Sequence, residues 1–395
     1  MLQKYFLRIQ YSHYCIFLVA ILSYTIFLFF LLKNYSFNFS GVVIAGDYYS
    51  SQNILGSNFL VIKDSKGYDG QFYYRLALNP FTNNSEAYGI KLDNPPYRQQ
   101  RILYPLITWL ITLGNHRYIP FALVFVNFVS IIFITYFSIR LVEHFKYKPI
   151  YSLLFSFYPG LLFALSRDLS EILETALLVS GVYFYEKNKF LTSAIVLSLA
   201  LLTRETSLIV VLCLFIYEAF RNFKKRTQNK GLYFLIPISI YGLKSLILSI
   251  KWNGVDTLFP TRTGTPFLGF IDYIRELLTT NYQRVHFIEI GFILIFLGII
   301  FISIAKQIYN FVNQKDFQID YKYIFIWLIY FGLYLSLSGL VWQEDFGYMR
   351  AITNLFIMGY IILLKSKRTK TLTTLLFLNS FLWIYLARYL LFNTQ

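Results

Sequence analysis

Charge is scarce in this sequence. Asp, Glu, Lys and Arg make up 14% of its 395 residues and hydrophobic types 56%, against roughly 25% charged in an average soluble domain, so the chain cannot cover a soluble fold with polar surface. Cysteine is scarcer still: Cys15 and Cys213 both lie inside apolar stretches, which argues against a disulfide framework and against a cysteine metal site. The four histidines, His13, His116, His144 and His286, lack ligand spacing, and there is no Asp-x-Asp motif. The expectation is no tightly held protein-ligated metal and no cofactor. No internal repeat or low-complexity linker divides the chain, which reads as one membrane domain over residues 1–395.

What is present is length without charge. Residues 15–32, 121–139, 290–304 and 323–341 are almost free of ionisable groups, and runs of ~15 to 20 such residues approach the span of a bilayer core. The net charge of +16 does not indicate nucleic acid, because Lys and Arg sit in short loops between apolar runs rather than on one soluble face. They mark topology instead. Lys4 and Arg8 precede the first run, which has no small-residue cleavage site near its end, so it reads as a retained helix and not as a secretory signal. Abundant Phe, Tyr, Ile, Lys and Asn would suit an AT-rich bacterial genome.

One alternating assignment places the basic loops on a single, cytoplasmic side. Eleven helices are expected, at residues 15–32, 119–139, 150–165, 169–185, 190–202, 207–220, 232–250, 287–311, 323–341, 351–364 and 372–391. The basic turns at 140–148, 186–189, 221–230 and 365–370 then lie inside with the amino terminus. The fold class is an all-α polytopic bundle with a large first external loop, 33–118, and a second, 251–286, whose Pro260, Gly264, Pro266 and Gly269 precede a short helix near 272–278. The apolar stretch from Arg101 to Leu113 is too short to span and reads as interfacial.

The same assignment puts Asp47, Asp69, Asp168, Glu171, Glu205, Asp256, Glu344 and Asp345 outside, many beside an arginine. In Gly67-Tyr-Asp-Gly-Gln-Phe-Tyr-Tyr74 the flanking glycines permit a tight turn that presents Asp69 at a helix start. There it can cap the helix or act as a general base. Tyr68, Gln71 and Tyr73 of this element are candidate substrate-binding residues, its tyrosines being suited to stacking on sugar rings. Arg98 and Arg101 can snorkel at the membrane edge or bind phosphate through forked hydrogen bonds, Arg101 being the better placed. Ser166-Arg-Asp-Leu-Ser-Glu171 supplies Arg167, Asp168 and Glu171, and Glu174 lies one helical turn deeper. There a carboxylate needs a partner, which is either Arg204 or, if Arg204 pairs locally with Glu205, another group. Arg350 stands at the mouth of the tenth helix.

Together the 67–74 loop, the Arg101-Ile-Leu-Tyr-Pro105 segment, the Tyr158-Pro159 break with its charged turn, and Ala200-Leu-Leu-Thr-Arg-Glu-Thr206 resemble elements of the GT-C class of membrane glycosyltransferases. These include protein and GPI-anchor mannosyltransferases and aminoarabinose transferases. The 67–74 loop is also similar to that of bacterial proteins of cell-surface glycopolymer formation. The resemblance covers roughly the first 210 residues and implies an acidic catalytic residue in the first external loop, here Asp69, with Asp47 the nearest second acid. It implies transfer of a sugar from a polyprenyl-phosphate donor to a glycan or lipid-linked acceptor at the external face of a bacterial inner membrane, with inversion. Arg101, Arg204 or Arg350 would stabilise the leaving phosphate. The partners are then the donor, the acceptor and membrane lipid, with no nucleic acid. A lipid-linked glycan flippase would instead show midplane charges and repeated halves, and a glycan polymerase or ligase would differ in donor size.

Overall fold

The computed structural model describes residues 2–225, 230–254, 264–279, 284–313, 321–343, 347–366 and 369–392. It is an all-α membrane protein. Among the described residues five helices are long and apolar enough to cross a bilayer: Ser12–Asn34, Ile119–His144, Lys230–Lys251, Phe287–Asn310 and Thr369–Phe392. Their apolar residues fall into exposed stripes, such as Leu18, Leu22, Ile26 and Phe29 on the first and Phe377, Phe381 and Ile384 on the last. Side chains at helical spacing left uncovered in this way are what lipid, rather than water, would solvate.

Between these lie shorter apolar helices, Glu171–Glu186, Phe190–Thr203, Leu208–Lys225, Tyr321–Leu335 and Thr353–Lys365. Every residue from Thr353 to Leu364 is buried, so this helix is the axis of its half of the bundle, packed by Glu171–Glu186, Arg284–Asn313, Tyr321–Leu335 and Thr369–Phe392. A bare Gly359 lets the Phe296 ring lie against that axis, since a Cβ there would sit 2.5 Å from it.

Two expected helices differ from the sequence reading. Residues 150–165 do not form one helix: Pro149–Ser152, Leu153–Ser156 and Pro159–Leu165 are separate turns. Pro159 has no N–H and holds Tyr158 extended, with ψ 124°. The stretch at 323–341 ends at Leu335, and Gly339–Gln343 is a distinct short helix. In the second loop the helix starts earlier than expected, at Leu268, and runs to Thr279.

The first large loop is folded and mixed. Besides the helices Gly70–Leu78, Pro95–Gln100 and Leu103–Thr112, Ala45–Gly46 pairs in parallel with Val61–Ile62, and Glu86–Ala87 pairs antiparallel with Ile90–Lys91. These two-residue ladders carry no alternation long enough to be read from sequence.

Candidate functional site

The 67–74 element is positioned by close backbone contact. Gly67 has φ +63°, and a Cβ on it would lie 2.4 Å from the Gly46 nitrogen; one on Gly70 would lie 2.6 Å from the carbonyl oxygens of both Val43 and Arg167. Gln71 locks the turn: its Oε1 accepts from Gly46 N–H at 3.2 Å and from Ser50 Oγ at 2.9 Å, and its Nε2 donates to Lys66 O at 2.8 Å. Tyr73 hydrogen-bonds Ser170 Oγ at 2.9 Å and meets Tyr104 edge-on. Gln71 and Tyr73 therefore join the loop to its supports.

Asp69 occupies the N-cap position of Gly70–Leu78, but its side chain makes no cap hydrogen bond. Its backbone is already helical, at φ −60° and ψ −24°, whereas a capping residue is typically extended. The carboxylate is instead taken by two arginines, Oδ1 by Arg98 Nη1 at 2.9 Å and Oδ2 by Arg350 Nη1 at 3.1 Å. Arg98 is forked onto Asp93 from behind, with both bonds at 2.7 Å, and lies over the Phe72 ring. Arg350 also reaches Glu171 at 2.9 Å, Glu171 faces Arg204 at 3.3 Å, and Arg204 lies 3.6 Å from Glu174. Thr206, Ser207 and Asn354 all donate to Glu174 Oε1, at 2.7, 2.8 and 2.8 Å. Seven charges thus alternate from Asp93 to Glu174. The row is buried from Arg98 to Glu174 and exposed at Asp93, and its buried part is tolerable because each ion has a partner of opposite sign.

Glu205 does not pair with its neighbour Arg204. It accepts two bonds from Arg101, at 3.0 Å from Nε and 2.5 Å from Nη2. Burial pushes the Glu205 carboxyl up, but Arg101 outweighs it and brings the group down to about 2. Arg101, Arg204, Glu205 and Arg350 line a cavity of about 320 Å³ whose other walls include Tyr97, Tyr241, Tyr330, Tyr334, Leu208, Ile209, Leu212, Leu333 and Leu355. Its charged groups come from elements spread over the whole chain, and the remainder is mostly aromatic or aliphatic, with Thr206 and Gly347 among it.

Of the sequence candidates Arg101, Arg204, Glu205 and Arg350 line the cavity, Asp69 and Glu171 meet it through Arg350, and Asp47, Arg167 and Asp168 belong neither to the wall nor to the row of ion pairs. Asp47 is exposed and accepts from the N–H groups of Asp64 and Ser65, which hold it below the usual carboxylate range and tie it to loop geometry. Arg167 lies over Phe163 and Tyr68 and donates to Ser166 Oγ. Asp168, in the left-handed conformation at φ +49°, is fully buried, and among the described residues neither carboxylate oxygen has a hydrogen-bond partner; burial pushes its carboxyl well up. Tyr68 lies beneath Arg350, 4.9 Å from the guanidinium carbon to the ring centre. Asp256, Glu344 and Asp345 lie outside the described residues.

The sequence reading did not find the role of Arg98 as partner of Asp69, nor Asp93 behind it, nor Asn354 and Tyr241. The five-residue spacing of Asp93 and Arg98 about a Pro-Pro helix start was the available signal. No family model, curated protein or solved structure matches the chain.

Proposed function

We propose that this chain is a GT-C-like glycosyltransferase that crosses the membrane eleven times, the 150–165 crossing being made by broken helical pieces rather than one helix. It would sit in a bacterial inner membrane with its amino terminus cytoplasmic and move a sugar from a polyprenyl-phosphate donor to an acceptor hydroxyl on the external face. The observation that carries this reading is the cavity in which Arg101, Arg204 and Arg350 meet aliphatic and aromatic walls, with Asp69 bonded directly to Arg350. Guanidinium forks suit phosphate oxygens, and the apolar walls suit a prenyl chain.

In the proposed reaction Asp69 accepts the acceptor's hydroxyl proton as that oxygen bonds to the anomeric carbon. The bond from that carbon to the phosphate oxygen breaks on the opposite side, giving inversion, and the electron pair leaves with the lipid phosphate. Arginines at the leaving group stabilise the charge that develops there. Asp69→Asn tests the reading: transfer in a donor-dependent assay should fall by roughly 10²–10⁴-fold while the protein remains folded and inserted. Full activity removes the base. Movement of a labelled lipid across the bilayer without a new glycosidic bond would make the chain a transporter.

A further inference from the structure

Arg350 differs from the other arginines of the site in what its departure would leave behind. Its described ion-pair partners include Asp69 and Glu171, and each of these has a second arginine: Asp69 keeps Arg98 at 2.9 Å and Glu171 keeps Arg204 at 3.3 Å. Among the described ion pairs, removing Arg98 would leave Asp93 without its cation, removing Arg204 would leave Glu174, and removing Arg101 would leave Glu205. Stripping a buried carboxylate of its only cation is costly; Asp93 is exposed, but losing Arg204 or Arg101 would strand the buried Glu174 or the half-buried Glu205, whereas Asp69 and Glu171 each keep another arginine when Arg350 departs. Arg350 also lines the cavity, whereas Arg98 does not.

The backbone around Arg350 is held. Tyr158 donates to Met349 O at 2.6 Å, Thr353 donates to Arg350 O at 2.8 Å, and Gly160 packs so closely that a Cβ there would lie 2.7 Å from Met349 O. A change of partner is therefore a motion of the side chain over the Tyr68 ring and not of the chain.

We propose that Arg350 is a handover residue: it neutralises Asp69 and Glu171 in the empty site and passes its hydrogen bonds to the phosphate of a lipid-linked phosphodiester when that group enters the cavity. This rests on reading the cavity as a phosphate site. Asp69 then keeps Arg98 but has lost one of its two arginines and becomes more basic, so the base is released only when the donor is in place, and donor binding precedes acceptor activation. Among the described residues the groups facing Asp69 include Arg98, Arg350, Glu171, Tyr68 and Tyr73; Arg350 changes partner, and Glu171 loses it too but keeps Arg204.

The consequence is opposite to that of an ordinary loss of contact. In the empty protein the Asp69 bond competes with the ligand for Arg350, and a competent state populated at a minor level weakens apparent affinity by that fraction. The test is calorimetric binding of farnesyl methyl phosphate, a phosphodiester carrying one negative charge throughout the pH range used, to the full chain in lipid nanodiscs. Buffers of different ionisation enthalpy count the protons. Wild type should take up protons on binding as pH falls from about 7 to 5, because losing Arg350 raises the affinity of both Asp69 and Glu171 for a proton. Asp69→Asn should bind about tenfold tighter with less uptake, what remains being that of Glu171 as it too loses Arg350. Equal or weaker binding by Asp69→Asn, or wild-type binding without proton uptake, overturns the handover and leaves the phosphate reading standing. No binding by wild type overturns the phosphate reading and the handover with it. The wild-type proton count decides the matter even if the variant does not fold.

Discussion

Arg101 straddles Glu205 with two hydrogen bonds, 3.0 and 2.5 Å long, across a separation of 104 residues. This fork joins the end of the Pro95–Gln100 helix to the turn between Phe190–Thr203 and Leu208–Lys225. It thereby fixes one wall of the cavity. On the other side Gln100 donates to the Tyr241 hydroxyl at 2.5 Å, Lys244 donates to Gln100 O, and Trp252 donates to Gln99 Oε1 at 2.9 Å.

Glu205→Gln should destabilise the protein by about 3 kcal/mol, the low end of breaking a buried pair, because Arg101 is left without its anion. Thermal unfolding in detergent, followed by size-exclusion chromatography, measures it. The wild-type pair also has a pH signature. With a folded value of about 2 against an ordinary 4.5, Glu205 contributes stability that is complete above about 4.5 and lost as pH falls towards 2. The Gln variant should lose this acid sensitivity.

Asp168→Asn should stabilise the protein at pH 7 by a few degrees of melting temperature. The group is buried with no hydrogen-bond partner among the described residues, and its carboxyl is pushed above the ordinary 3.8. Its contribution is therefore complete below about 3.8 and is lost as pH rises, so the wild type carries a penalty at neutral pH that an uncharged amide avoids. Asparagine also tolerates the left-handed backbone. Melting curves at pH 7 and pH 4 should show the gap closing at the lower value.

Gly70→Ala should cost about 1–3 kcal/mol, the range for forcing an extra methyl into packed surroundings. The new Cβ would meet two carbonyl oxygens at 2.6 Å, one from Val43 and one from Arg167, and neither is a flexible side-chain end. Because Gly70 directly follows Asp69, transfer should fall further than stability does. Comparing residual folded protein with residual activity separates the two effects.

The proposed orientation predicts opposite labelling of two exposed loops. In a background lacking Cys15 and Cys213, Lys63→Cys should react with a membrane-impermeant maleimide added to intact cells. Lys187→Cys, in the turn between Glu171–Glu186 and Phe190–Thr203, should react only after the cells are opened. Labelling of Lys187→Cys from outside would reverse the topology.

By itself the sequence determined the solvent of the fold and the inventory of its site. Low charge, long apolar runs and basic turns are local properties, because a helix that meets lipid must be apolar along its own length, and so the all-helical membrane class was legible. The turn at Gly67 was legible too, since glycine acts through its own backbone, whereas the Tyr158-Pro159 step, visible in the sequence, did not by itself disclose the division of the expected 150–165 helix.

Which arginine meets which acid was decided by tertiary structure alone. Adjacent Arg204 and Glu205 are natural partners in sequence, yet they point to different carboxylate and guanidinium neighbours, while Asp69 and Arg350 meet across 281 positions. Asp69 sits where a helix cap belongs and does not cap, because two guanidiniums offer its oxygens stronger partners than backbone N–H groups do. Ion pairing depends on where side chains end in space, and only the packing of distant helices sets that.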